Sequence, residues 1–554
     1  MKFVNVLFVV LLYCTHLSAQ VTLPNNLYFT HIGVEDGLCQ NTVCCILQDH
    51  LGFIWLGTKD GLTRYDGYRF RVFKHDAADP MSIGNNFIRV LYEDADGLIW
   101  IGTNVGVYIY NPETENFRKF DVATERGDVI SREVSSIKCD SSGDLWIGVN
   151  WQGVFRYDRR DESLELYEPV PGDTTSLSSV HVWDLCFDGD GNLWVGSQNG
   201  GLDRYDRETD RFVRHRLKGL SDVSRIVLDK QNQLLLGTMK DGLFSFNPYM
   251  GTCQPLLLDS GHKDLFVRAI FVRNSREVVV GTENGIYIYD CVTRKTRHVN
   301  QELGNPYSLS CKAVYSIYCD KEGALWIGTY FGGVNYLPPS SSLIFDKFYP
   351  IGHSDRLSGK AVREFVRDES GIIWIGTEDQ GLNRFDPVSG KFTHYNSRNS
   401  GLSCDNVHGL CVDGDRLYIG TFFGGFNIMD LKTNEIVALG SQMLPDDSVF
   451  SIFRDHDGRI WVGLTYGLCL FHPEDGSFEL VREIPENLFI YDIYQGDDGI
   501  IYFAAYNRGV ITYNPHTGKW GQVESGDEGL LKHVVSINED SAFHIWFGTE
   551  GRGA

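Results

Sequence analysis

One short phrase returns along this chain at nearly constant spacing, and it limits the fold more than any other feature. The phrase runs large apolar, apolar, Gly, small residue, two or three variable residues, Gly, then alternating apolar residues. It stands at Trp55, Trp100, Trp146, Trp194, Leu235, Val279, Trp326, Trp374, Tyr418, Trp461, Tyr502 and Trp546, twelve copies 41 to 48 residues apart. A unit of that length is one supersecondary motif that cannot bury its own faces. Its copies must stack as an array or close as a ring.

The second copy shows the content of a unit. "FIRVLYED" alternates and reads as a strand, "DADG" as a turn and "LIWIGT" as the next strand. In the latter, Ile99, Ile101 and Thr103 share one face, and Trp100 and Gly102 the other. "VYIYN" is a third strand, "NPET" a turn with Pro at its second position, and "NFRKF" a polar fourth strand. No amphipathic helix fits between them. Four antiparallel strands that bury both faces by stacking radially make a β-propeller blade. The repeat tryptophans Trp55, Trp100, Trp146, Trp194, Trp326, Trp374, Trp461 and Trp546 are expected to plug the space between adjacent blades. The first repeat glycine, as at Gly102, leaves room for close approach. The second, as at Gly106, permits positive φ in a tight connection.

The fold class expected is therefore all-β, with tandem propellers of four-stranded antiparallel blades. Seven copies end near Pro338-Pro339-Ser340-Ser341-Ser342, the one Pro/Ser cluster inside the array. A first seven-bladed propeller is placed at residues 20–340, and a second, with five repeats and read as incomplete, at 341–554. The segments Asn26 to Asp49 and Leu343 to Asp368 each supply an apolar-aromatic strand before a first blade. One of them is expected to close the first ring as an outer strand borrowed from the other end of the chain; the sequence leaves open which.

Residues 1–19 read as a secretory signal peptide: Lys2, an apolar run from Phe3 to Tyr13, and a small-residue end at Ser18-Ala19. The run is too short to span a bilayer. The formal charge is -23, or -24 without Lys2, so a general attraction for nucleic acid or anionic membrane is not expected. Cys139 and Cys319 hold one repeat position, and Cys186 and Cys411 its neighbour. Cysteines at equivalent strand positions read as small buried hydrophobes rather than a disulfide framework.

With these motifs in hand, "GxIWIGTxxGLxRYD", repeated after a leader and the opening "GLCQNTVCCILQD", resembles the two-component regulator propeller repeat. That repeat forms the periplasmic sensor region of hybrid two-component histidine kinases of Bacteroidetes. The resemblance covers essentially residues 27 to 554. It implies a periplasmic module that senses oligosaccharides and controls polysaccharide-utilisation genes. The family's pattern adds two blades, a β-sandwich, a membrane helix, a histidine kinase, a receiver and a DNA-binding domain, all of which would lie beyond residue 554. Membrane contact is implied only through those segments, and dimerisation through the sensor region. No phosphoacceptor-histidine motif or ATP-lid glycines are read within these residues, so this chain is not expected to be an enzyme.

Catalytic and metal sites are likewise not expected. The turns with Asp94 and Asp96, Asp188 and Asp190, and Asp455 and Asp457 mimic calcium loops but lack the further ligands. They read as hairpin turns, where Asp and Gly are favoured. No nucleophile elbow or zinc-protease motif is read, and no cofactor is implied. Two facing carboxylates on a propeller would suffice for a polysaccharide lyase or glycoside hydrolase, but no pair stands out. The binding candidates lie between the two repeat glycines. That stretch is polar in most blades but carries Trp151, Tyr330 with Phe331, Phe422 with Phe423, and Tyr466 in four. Exposed there, these rings suit stacking on sugars; the plain alternative is packing against a neighbouring blade. The expected function is thus an oligosaccharide sensor, with a non-signalling binding or scaffold propeller and a propeller enzyme as alternatives.

Overall fold

Each repeat forms one antiparallel sheet, with strands named A to D from the innermost outward. In the second blade they are Ile88–Glu93, Ile99–Thr103, Gly106–Asn111 and Asn116–Lys119. The computed structural model describes residues 22–554 except 25, 216, 218–219, 257–264, 340–347, 349–355, 440–443, 486, 525–529, 552 and 554. The expected leader, and most of the segment between the two repeat groups, lie outside those residues. Among the described residues no helix is long and apolar enough to cross a membrane.

The blade core explains the repeat. Strand B of the second blade, Ile99–Thr103, is buried throughout, because one face packs on its own blade's neighbour before and the other on the neighbour after. Seven of the eight repeat tryptophans are at most 5% exposed. Trp194 shows the packing: it lies among Leu234, Leu236 and Phe246 of the next blade. Every one of the eight also donates its indole N–H, at 2.8–3.2 Å, to the Asp six residues earlier, as in Trp100 to Asp94 and Trp194 to Asp188. The same Asp accepts backbone N–H groups two and four residues on, as Asp94 does from Asp96 and Leu98. The turn aspartate thus holds the A–B hairpin and satisfies a buried indole at once. A Cβ on Gly102 would lie 2.4 Å from Val90 and 2.6 Å from Val134 of the next blade, while Gly106 sits at φ 125°.

The chain divides into two compact units, Met1–Asp346 and Lys347–Ala554. In the first, seven A strands pack in a closed circle: Val43–Gln48 touches both Ile88–Glu93 and Val314–Cys319. The closing strand is the N-terminal one. Thr30–Ile32 is strand D of the seventh blade, paired antiparallel with Val334–Leu337 through Thr30–Tyr336 and Ile32–Val334. Leu23 and Phe29 anchor it in the apolar core of blades six and seven. The Leu23 N–H meets both oxygens of Glu277 at 3.1 and 3.0 Å.

In the second unit, four four-stranded sheets and a two-stranded fifth pack in succession among the described residues. Strand A of its first sheet, Val362–Arg367, leaves Val362 46% and Phe365 69% exposed, whereas Val43, Val134 and Val449 are fully buried. Trp546 in the fifth sheet is 52% exposed. This corrects the expectation that every repeat tryptophan is an interblade plug: Trp546 keeps the bond to Asp540, but no described sheet packs on its outer face.

Candidate functional site

Simple alternation in the A strands is also corrected. All twelve carry a β-bulge at one register position, such as Val43/Cys45, Ile88/Val90, Val407/Gly409 and Val534/Ser536. An extra residue on one strand is left out of the ladder and its side chain is re-aimed. In the first propeller the extra residues are Cys44, Arg89, Ser135, Trp183, Ser224, Arg268 and Tyr315; six of these, all but Ser224, line a cavity at the propeller axis. In the second unit they include Arg363, His408, Phe450 and Tyr491. Sequence reading missed this set, although its signal was present. The preceding position is Val or Ile in every blade, while this one ranges over Cys, Arg, Ser, Trp, Tyr, His, Phe and Val.

The bulge lies at the same end of the blade as the B–C connection, because Val43 pairs with Thr58 at the end of strand B. The sequence-derived ring residues and the bulged residues therefore share one face of each propeller. Trp151, Phe331, Phe423 and Tyr466 are 66–69% exposed. Tyr330 and Phe422 are half-buried beneath them. Each exposed ring on a partner rests edge-on or tilted: Trp151 on His181, Phe331 on Tyr330 and Phe423 on Phe422, with centroids 4.1 Å apart in all three. Tyr330 in turn contacts the bulged Tyr315 at 5.1 Å, and Phe422 the bulged His408 at 5.6 Å. Trp151 and Phe423 adopt φ of 68° and 71°. Such a backbone costs a bulky side chain about 1–2 kcal/mol, and strain of this kind concentrates at functional sites.

The two faces differ in character. On the first, cations stack on rings: Lys59 over Tyr330 at 4.2 Å, Arg89 over Phe87 at 4.3 Å, and Arg268 over Phe266 at 4.1 Å and Tyr315 at 4.2 Å. On the second, an aromatic series runs from His408 to Phe450 at 4.2 Å, Phe450 to Phe489 at 4.5 Å, Phe450 to Tyr491 at 4.9 Å and Tyr506 to His533 at 5.0 Å. Burial, aided by Arg363, pushes His408 down to about 4, so the ring is a neutral member of that series. Cys186 and Cys411 lie buried in interblade cores, and burial pushes both thiols up to about 12.

Residues 37–60, 82–105, 176–199, 308–331 and 443–466 match the family described as two component regulator propeller. Each match opens just before an A strand and stops within the B–C connection, so each contains both a bulged residue and variable loop positions. A 59-residue segment is 39% identical to histidine kinase P4 of Formosa agariphila, covering 11% of this chain and 4% of that protein. The extracellular domain of a hybrid two-component system from B. thetaiotaomicron is similar in structure, with TM-score 0.60 and 22% identity over 95% of this chain and 82% of that one. A second such extracellular domain from that organism gives TM-score 0.50 and 20% identity over 95% and 76%. At those identities the likeness is one of fold. Five of the twelve repeats thus match the two-component regulator propeller family, and the described blades share the fold of such extracellular domains.

Proposed function

We propose that these propellers are the ligand-sensing part of a two-component signalling protein, that they work in the periplasm, and that the ligand is an oligosaccharide. The observation that carries the reading is the set of four exposed rings at one blade position, Trp151, Phe331, Phe423 and Tyr466, two of them on strained backbone. On each unit taken by itself, rigid aromatic rings lose little conformational entropy on binding and stack well on the apolar faces of pyranose rings. Stiff blades then pass occupancy on as a change in the arrangement of whole domains rather than of single loops. Control of polysaccharide-utilisation genes by attached kinase segments belongs to the same proposal.

Calorimetric titration with a panel of plant, host and microbial oligosaccharides tests it. A hit whose affinity falls at least tenfold in Trp151→Ala or Phe423→Ala, with melting temperature held, supports the reading. Unchanged affinity with a large loss of stability would make these rings core residues. Release of shortened or unsaturated sugars during the titration would favour an enzyme instead.

A further inference from the structure

The axial cavity of the first propeller has a volume of about 60 Å³. On that measure one water needs roughly 10–15 Å³, so there is room for several waters or one small charged group. Three guanidiniums line the cavity, from Arg89, Arg225 and Arg268, with one carboxylate, Glu133. This clustering runs against the composition of a chain whose formal charge is -23.

Two of the arginines are already neutralised. Arg89 pairs with Glu133 at 2.7 Å, and Arg268 pairs with Glu283. Arg225 is different. Its Nε–H meets the Arg268 carbonyl oxygen at 2.7 Å and another N–H meets the Ser224 carbonyl oxygen at 3.0 Å. Among the described residues no carboxylate lies within ion-pair reach of it. Burial pushes its guanidinium below the ordinary value, and the Asp184 carboxylate, beyond ion-pair distance, offsets this only in part, which marks a charge lacking full compensation. Two more polar groups in the same wall are buried without a partner, the Trp183 Nε1–H and the Ser135 hydroxyl. Unmade hydrogen bonds of this kind cost about 1–3 kcal/mol each. Indole and guanidinium can only donate, so what they lack is an acceptor, and the incompletely compensated charge asks for a negative one.

We propose that this cavity binds one oxyanion, a carboxylate or sulfate group, held by Arg225 with Trp183 and Ser135. A neutral hydroxyl would satisfy the indole but leave the Arg225 charge. A cation would meet three guanidiniums. The site stands on the cavity alone and does not require the oligosaccharide reading, since a free ion and an acidic substituent on a sugar present the same group.

The test is calorimetric titration of the full chain with sodium sulfate and sodium glucuronate, at ionic strength held constant with chloride. Sulfate is kept to low millimolar, because at higher concentration it stabilises folded proteins by exclusion alone. One saturable site is expected, weakened at least tenfold in Arg225→Met and at least threefold in Trp183→Phe, which keeps a ring but loses the N–H. If Arg225→Met does not fold, Trp183→Phe and Ser135→Ala carry the test. Competition between sulfate and an acidic oligosaccharide identifies a sugar substituent, and sulfate binding without such competition a free ion; either supports the site. No saturable heat, or equal affinity in the folded variants, overturns it.

Discussion

Replacing Asp203 with Asn should raise the stability of the first propeller above about pH 6 and leave it unchanged near pH 4. Asp203 is fully buried in strand C of the fourth blade, Gly201–Asp206. One carboxylate oxygen accepts the Ser178 N–H at 2.8 Å and the Ser178 hydroxyl at 2.6 Å; the other has no partner. Burial pushes its pKa from 3.8 up to about 6. The folded chain therefore keeps a proton that the unfolded chain releases near pH 4, and stability falls as pH rises from about 4 to about 6, then levels. A shift of one unit is worth about 1.4 kcal/mol, so relief of the buried charge is on the order of 1–3 kcal/mol. Other blades show that the amide fits. At the same position Asn335 accepts the Ser310 N–H at 2.8 Å and donates to its hydroxyl at 2.9 Å, and Asn383 accepts the Ser358 N–H at 2.7 Å. Ser178 can accept in the same way, because its hydroxyl already reaches the Gly200 carbonyl oxygen at 3.3 Å. At about 2 cal/mol/K of unfolding entropy per residue, a unit of roughly 300 residues gains about 2–5 °C. Scanning calorimetry of both proteins from pH 4 to 8 is the assay. A variant less stable at pH 8, or one whose gain is the same at pH 4 and 8, refutes the reasoning.

The repeat tryptophans should differ in cost according to exposure. Trp194→Ala, at 1% exposure, should lose about 3–5 kcal/mol and Trp546→Ala, at 52%, less than half of that, by calorimetric transitions of the respective units; equal losses would contradict the interblade-plug account. His408 is held near 4 by burial and Arg363, so it opposes folding as pH falls from about 6.5 to about 4. His408→Phe should flatten the fall in denaturation midpoint across that window relative to the parent, and parallel curves would assign the acid sensitivity elsewhere. Deleting the residues before Gly33 removes strand Thr30–Ile32 and the Leu23 and Phe29 anchors. The first unit should then lose its cooperative transition and become rapidly cleaved in limited proteolysis, while an unchanged transition would mean that the ring closes without that strand.

What was legible in the sequence was whatever each blade must repeat. Trp100, Gly102 and Gly106 recur because steric fit between blades leaves few substitutes, and their spacing exposes the architecture. The Asp-to-Trp bond was legible in principle, six residues apart in eight repeats, but Asp94 has a sufficient reason as a turn residue and hid its second role. The bulge was hidden for a different reason. Period-two reading of "FIRVLYED" finds alternation and stops, whereas the extra residue at Arg89 shows when the partner strand is counted against it, or when the repeats are laid together and a variable position follows an unvarying Val or Ile. The axial cavity was invisible for the same reason, since its lining comes from positions that vary between blades. Exposure of Trp151 and Phe423 could be anticipated from the polar residues that replace them elsewhere; their positive φ could not, because it depends on how four residues bridge the repeat glycines.

The pairing of Thr30 with Tyr336 joins positions about three hundred residues apart. Among the described residues every other strand pair in the first unit is a local hairpin, able to form as its own segment emerges. The last contact waits for nearly the whole unit, and its loop-closure entropy is recovered only then. Until that moment the edge of Val334–Leu337 is an open template for any strand of matching pattern, including the N-terminal strand of a neighbouring copy. Ring closure is thus the pairing in this unit that costs the most loop-closure entropy, and dilution is expected to favour closure within one chain over exchange between copies.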